Sequence, residues 1–141
     1  MNVGKRIALL LMSLSLFACS TTIVNSMASE TITLSQIQKE WQLVRIDGQA
    51  INPEINSTLN VAAQARATGK LVCNTFFGQL TLKDNTLKIT PLASTRMICP
   101  EAINDVETIV SSVLKNWSEM QLAAGKLTLS GKIHTLTYRA N

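Results

Sequence analysis

Alternating apolar and polar positions predict short β-strands along most of the chain after residue 40. Leu80 and Leu82 alternate with polar residues, as do Leu87 and Ile89, and the Asp84-Asn85 pair between them is typical of a hairpin turn. By the same signals, strands are predicted at 41–46, 58–65, 69–72, 77–83, 86–90, 120–123, 126–130 and 133–139, with turns at Asp47-Gly48, Ala124-Gly125 and Gly131-Lys132.

The stretch from Pro100 to Trp117 has a helical period instead. Pro100 and Glu101 suit a first helical turn, and a shorter helix is predicted from Thr33 or Ser35 to about Lys39. The apolar stripe of the longer helix comprises Ile103, Val106, Val110, Val113, Leu114 and Trp117. These elements predict an α+β fold. Its antiparallel sheet of seven or eight strands would curl into a barrel or partial barrel, with the one main helix packed on the open side.

Residues 1–18 have the pattern of a secretory signal peptide. Lys5 and Arg6 precede the apolar stretch 7–18, which as a helix would be about 18 Å long and too short for a hydrocarbon core of about 30 Å. The sequence Leu16-Phe17-Ala18-Cys19 is typical of a lipobox, which predicts cleavage before Cys19 and lipid on that residue. Cleavage after Ala28 is the alternative.

The rest of the chain is predicted to be a tether followed by one domain. By resemblance to Gram-negative lipoproteins, Ser20 after the lipidated Cys19 implies an outer-membrane protein that faces the periplasm. Small polar residues make 19–33 a flexible tether, and 34–141 is the folded domain. The length of 141 residues suits a single domain, and we expect a monomer.

Charge and composition exclude several classes of function. Without Lys5 and Arg6 the formal charge of +4 falls to +2, and the remaining basic residues are scattered, so nucleic-acid binding is not expected. A single histidine rules out a multi-histidine metal site, and we expect no metal and no cofactor. With Cys19 lipidated, Cys73 and Cys99 favour a disulfide in an oxidising compartment, the alternatives being two free thiols or a redox pair.

Two segments around these cysteines carry the densest local signals. In the first, Cys73 is followed by Asn74, Phe76 and Gly78. Asn74 suits a turn, and Gly78 suits a bulge or a close packing approach. This segment is interpreted as a packed corner, the alternative being a ligand-contacting loop.

The second segment, Thr95-Arg96-Met97 before Cys99, leads into the predicted long helix. Arg96 could hold backbone carbonyls or a carboxylate in a fork geometry, or else bind an anionic ligand, and we favour the first role.

Together these motifs resemble those of the META domain family. The resemblance rests on C-N-x-F-x-G and S-T-R-M-x-C, with W-x-L-x-x-I-x-G from Trp41 and L-T-L plus L-T-Y near the end. It implies an α+β fold with a curled antiparallel sheet, similar in shape to calycins and to a secretion pilot lipoprotein. It also implies a disulfide between Cys73 and Cys99 and a link to heat shock and novobiocin resistance, with no known catalytic residues. Val72 and Thr75 depart from the residues often found in the family.

His134 is the one candidate for a catalytic base, but the sequence specifies neither a nucleophile nor an orienting group beside it. If it shares a face with Leu136 and Tyr138, it is a partly buried core neighbour. The function predicted is therefore a non-enzymatic, stress-associated envelope lipoprotein that acts as a structural or interaction module. The alternative is a binder of a lipid or another small hydrophobic ligand inside the curled sheet, lined by Leu80, Leu82, Leu87, Ile89, Leu127 and Leu129.

Overall fold

The computed structural model describes residues 30–141. The predicted signal peptide, the lipid on Cys19 and all but the end of the tether lie outside the described residues. In chain order the elements are α1 (Leu34–Ile37), β1 (Glu40–Ile46), β2 (Gln49–Ala50), β3 (Thr58–Val61), a 3₁₀ turn (Ala63–Ala65), β4 (Arg66–Lys70), β5 (Thr75–Lys83), β6 (Thr86–Ser94), α2 (Glu101–Lys115), β7 (Ser118–Ala123), β8 (Lys126–Ser130) and β9 (Thr135–Ala140).

The strands form a closed antiparallel barrel. From β3 to β9 each strand pairs with the next, β1 pairs with β3, and β1 also pairs with β9, from Trp41 opposite Ala140 to Ile46 opposite Leu136. The short strand β2 pairs only with β1, so eight strands make the wall. The predicted α+β fold, with a curled antiparallel sheet and one main helix packed on it, is confirmed.

Three tight turns connect strands where the sequence predicted them. Both central residues of the pairs Asp47-Gly48, Asp84-Asn85 and Ala124-Gly125 have positive φ, between 47° and 77°. Two successive left-handed residues are typical of type I′ turns, whose twist matches that of the flanking strands. The local turn chemistry and the pairing of the strands therefore agree.

The segment 58–72 differs from the prediction. A single strand at 58–65 is wrong, because β3 ends at Val61 and the chain turns through Gln64 and Ala65, with φ of 60° and 57°. The following strand occupies Arg66–Lys70 rather than 69–72. Neither Gln64 nor Ala65 is a residue that favours left-handed backbone, so the sequence carried no turn signal there.

Apolar side chains fill the barrel. Trp41 and Tyr138 are the largest fully buried side chains, and the Trp41 Nε1–H donates to the Ile37 carbonyl at 2.8 Å. Five of the six side chains considered for a ligand cavity, those of Leu80, Leu87, Ile89, Leu127 and Leu129, belong to this buried cluster, and Leu82 packs against it. They lie in contact within one core.

Helix α2 covers the place where two neighbouring strands separate. β6 and β7 share only two residue pairs, Thr86 with Glu119 and Leu87 with Ser118, and α2 is the connection between them. Its residues Val110, Val113 and Leu114 are buried. The prediction that the apolar stripe includes Trp117 is wrong, because the helix ends at Lys115 and Trp117 is 43% exposed. No helix within residues 30–141 has the length and apolar character needed to cross a membrane.

Candidate functional site

The densest polar cluster of the described residues is centred on Glu107, in the middle of α2. Its Oε1 accepts hydrogen bonds from the backbone N–H groups of Val72, Cys73 and Asn74, at 3.2, 2.6 and 2.6 Å. Its Oε2 accepts a fourth bond from Asn74 Nδ2 at 2.7 Å. Three consecutive N–H groups that converge on one anion form a backbone nest. The connection between β4 and β5 is therefore folded around a carboxylate supplied by the helix.

The electrostatics of Glu107 follow from this geometry. Burial is the largest single influence and by itself raises the pKa of the carboxyl group. The bonds from Asn74, Cys73 and Val72 together outweigh it, so the pKa lies below the ordinary value of 4.5. Glu107 is therefore held as a carboxylate at neutral pH.

Asn74 connects this carboxylate to the segment before α2. Its Oδ1 accepts bonds from the hydroxyl of Thr95 at 2.8 Å and from the Met97 N–H at 2.7 Å. The adjacent disulfide joins Cys73 to Cys99, with 6.4 Å between their Cα atoms. The disulfide pairing is confirmed. We call the group of Cys73, Asn74, Thr95, Cys99 and Glu107 the clasp.

The remaining motif residues have separate positions. Phe76 is in the core, and Gly78 packs its α-carbon against Ile89 and the Pro91 carbonyl, where a side chain would collide. The pairing register of β5 and β6 shifts just after Gly78, as expected for a bulge. Arg96 and Met97 are exposed, and within residues 30–141 the Arg96 guanidinium makes no hydrogen bond or ion pair. The predicted fork at Arg96 is absent from the described part of the chain.

Glu107 is the residue that the sequence analysis missed. It lies four residues after Ile103 and three before Val110, on the same face of the helix as the apolar stripe. A carboxylate within the apolar stripe of a helix indicates that a buried group pairs with it. The position of Glu107 in the sequence carried this signal. The two sulfurs and a Glu107 oxygen lie within 4.8 Å of one another. However, the sulfurs are bonded to each other and the carboxylate is engaged by four donors, so this set is not arranged as a metal site.

His134 lies before β9 rather than in it, on the outside of the barrel. Its Nδ1 is 2.7 Å from Asp47 Oδ2, and Asp47 Oδ1 accepts from the Thr135 N–H at 2.8 Å. The hydrogen bond with His134, followed by that from Thr135, lowers the pKa of Asp47. Asp47 is thus an orienting group that the sequence did not reveal. No hydroxyl or thiol of the described residues forms a hydrogen bond with the His134 ring.

The fold and the clasp define a class of protein: a small antiparallel barrel whose connecting helix is joined to the sheet by a disulfide and a buried carboxylate. Residues 31–141 match the model of the META domain, and the chain belongs to that family. Disulfides persist in oxidising compartments. The bond between Cys73 and Cys99 is therefore typical of an extracytoplasmic envelope protein.

Relatives extend this assignment. The chain is 28% identical over 110 residues to heat shock protein HslJ of Escherichia coli K12, covering 77% of this chain and 79% of that one. An NMR structure with 28% identity superposes with a TM-score of 0.68 and covers 77% of this chain and 95% of the other. An NMR structure from Burkholderia xenovorans has 20% identity, a TM-score of 0.60 and 99% coverage of both chains, which shows the shared fold alone.

Proposed function

We propose that the protein is a non-enzymatic lipoprotein of the cell envelope, held in the outer membrane by lipid on Cys19 and acting as an interaction module under stress. The family and the disulfide support an envelope location. The name of the E. coli relative, a heat shock protein, supports a role in stress.

One observation about the clasp carries the interaction role. The buried polar groups of this corner bond to one another: Glu107 accepts from four donors, and Asn74 uses both its oxygen and its amide nitrogen. Such a network holds α2 and the β4–β5 connection in place but directs none of these bonds to a ligand. The barrel interior is likewise occupied by side chains. The groups available for recognition therefore lie on the outer surface.

The anchor is tested by replacing Cys19 with Ser in the full chain. We expect loss of labelled fatty acid and loss of the mature protein from the outer-membrane fraction. Ala28→Asp is the matched control: it blocks cleavage after residue 28 and leaves the lipobox intact, so acylation and membrane fractionation should not change. A Cys19→Ser protein that remains in the membrane at its normal mature mass would contradict the anchor.

The interaction role is tested in cells. Deletion of the gene should lower survival after heat shock or in novobiocin, and a copy carrying Cys19→Ser should restore survival poorly even at equal abundance. Full rescue by the unanchored protein would show that location at the membrane is not part of the function. A substrate turned over by the purified protein, with loss of turnover in His134→Ala, would contradict the non-enzymatic role.

A further inference from the structure

We propose that the groove around Trp117 and Ile133 is a second contact with the membrane, in which the barrel rests on an anionic phospholipid surface beside its lipid anchor. This inference rests on the proposed envelope role. We define the membrane-facing patch as Trp117, Ile133, Lys88 and Lys132.

The patch combines exposed apolar groups with cations in one place. Trp117 and Ile133 are 43% and 80% exposed and line the same groove of about 310 Å³, together with Lys132. The Lys88 ammonium lies over the Trp117 ring, 4.7 Å from its centroid. Indole rings favour the headgroup region of a bilayer, where the ring is in an apolar environment and its N–H is hydrated. Lysines near that depth are attracted to anionic lipids.

Two acidic side chains lie beside the patch: Glu119 lines an adjoining groove, and Asp47 is bonded to His134. Glu119 borders the adjoining groove of Trp117 and Lys132 and is the acidic side chain among those that line the two grooves. His134 lines the first groove as well, and it is paired with Asp47. The charged groups at the patch are therefore Lys88 and Lys132 against Glu119, with Asp47 as a second carboxylate that is bonded to His134. The two lysines flank Trp117 and Ile133 directly and are the groups that would face a negatively charged surface.

The path of the chain places the patch on the same side of the barrel as the first described residues. Glu30 and Ile32 are held at the β5–β6 turn, where the Ile32 N–H donates to Asn85 Oδ1 at 2.6 Å and the Glu30 carbonyl accepts from Asn85 Nδ2 at 3.3 Å. Two residues further along β6, Leu87 pairs with Ser118, the neighbour of Trp117. At about 3.3 Å per residue, Asn85, which holds the end of the tether, lies roughly 10 Å from the patch.

The length of the tether then limits the distance to the bilayer. Ten residues lie between Cys19 and Glu30, and the eleven Cα–Cα steps from one to the other span at most about 40 Å when fully extended. A lipid on Cys19 would therefore keep the patch within reach of the headgroups. The anchor supplies the attachment, and the patch sets which face of the barrel is turned to the lipid.

The test uses Trp117 as a fluorescent depth probe in the full-length mature protein. It is mixed with vesicles of phosphatidylethanolamine, with or without phosphatidylglycerol, whose acyl chains are brominated. We expect quenching and a blue shift of emission only when phosphatidylglycerol is present. Trp41 is buried in the core and supplies the unquenched background. In Trp117→Phe the quenchable emission should disappear.

Variants separate the two parts of the patch. Lys132→Ser should weaken partitioning about fivefold, the effect of one lysine near an anionic surface. Ile133→Ser should reduce the quenching of Trp117. Ile98→Ser is the matched control: Ile98, like Ile133, is an exposed isoleucine, but it lies beyond the other end of α2, about 22 Å away along the helix, and its replacement should change nothing.

Absence of Trp117 quenching in vesicles to which the protein is bound would overturn the proposal. So would equal quenching with and without phosphatidylglycerol, or loss of quenching in Ile98→Ser. Acylation of Cys19 is measured separately by mass. A chain that lacks lipid but still shows quenched Trp117 would therefore refute the anchor alone, and an acylated chain without quenching would refute the patch alone.

Discussion

The two ends of helix α2 differ in how they use their side chains. At the N-terminal end, the clasp pairs its polar atoms with one another and joins two cysteines covalently. At the C-terminal end, just beyond the helix, Trp117 and Ile133 are exposed beside two lysines. The two family motifs that contain cysteine lie at the first end. The difference teaches that the buried motif residues Cys73, Asn74 and Cys99 serve the fold, although Arg96 and Met97 of the same motifs are exposed, whereas the surface that we propose for recognition carries no motif.

The largest expected effect comes from the disulfide. Reduction, or replacement of Cys73 and Cys99 by Ser, should lower the free energy of unfolding by about 3.5 kcal/mol, because the bond closes a loop of about 25 residues. Urea denaturation with and without reductant measures the change. Equal midpoints under both conditions would mean that the disulfide between Cys73 and Cys99 does not stabilise the folded chain.

Glu107→Ala should be nearly as damaging, at about 3 kcal/mol, because it leaves three backbone N–H groups and the Asn74 amide without their acceptor. Asp105→Asn is the control, since Asp105 is an exposed acidic residue on the same helix. Urea denaturation curves measure the loss in the free energy of unfolding for both variants. A loss below about 1 kcal/mol for Glu107→Ala would show that water replaces the carboxylate at little cost.

Acid should weaken the clasp. The pKa of Glu107 is lower in the folded chain than its ordinary value of 4.5, so its contribution is complete above pH 4.5 and is lost as the pH falls through the folded value. The free energy of unfolding should therefore decrease below pH 4.5. In Glu107→Gln this decrease should be shallower. An identical pH dependence in the two proteins would mean that other carboxyl groups set the acid sensitivity.

Tyr138→Phe should leave stability unchanged or raise it by up to about 1 kcal/mol. The Tyr138 hydroxyl is fully buried and has no hydrogen-bond partner within residues 30–141. On folding it therefore loses its hydrogen bonds to water and gains none, and the replacement by Phe removes this cost. The same burial raises the pKa of the phenol. Thermal unfolding of both proteins is the measurement. A clear loss of stability would reveal a partner for the hydroxyl, and with it a polar ligand or water inside the barrel.

The smallest effect on stability is expected at the membrane-facing patch. Ile133→Ser should change the free energy of unfolding by less than about 0.5 kcal/mol, because the side chain is 80% exposed. Leu129→Ser, in the neighbouring strand but fully buried, is the contrasting control and should destabilise strongly. A large loss for Ile133→Ser would mean that the patch belongs to the core.

Sequence predicted those parts of the fold in which local signals and tertiary structure agree. Asp84-Asn85 and Ala124-Gly125 have turn chemistry, and the strands beside them alternate, so both hairpins were predictable. The turn at Gln64 and Ala65 lacks such residues. It forms because Ala67 and Val61 must both face the core from adjacent strands, which is a tertiary requirement.

The clasp was predictable in part. The cysteines and Asn74 carried visible signals, but Glu107, which accepts hydrogen bonds from Cys73 and Asn74, lies 33 residues after Asn74 in sequence. Only the packing of α2 over the β4–β5 connection brings them together. The pairing of His134 with Asp47, 87 residues apart, depends on closure of the barrel by β1 and β9 in the same way.

Hydrogen exchange in the presence and absence of phosphatidylglycerol vesicles tests the contrast between the two ends of α2 most directly. Amides at 72–74 donate to a buried carboxylate and should be strongly protected under both conditions. Amides at 116–118 and 131–134 should gain protection only when vesicles are added. New protection at 95–98 instead, with none around Trp117 and Ile133, would place the contact surface at the clasp and contradict the account.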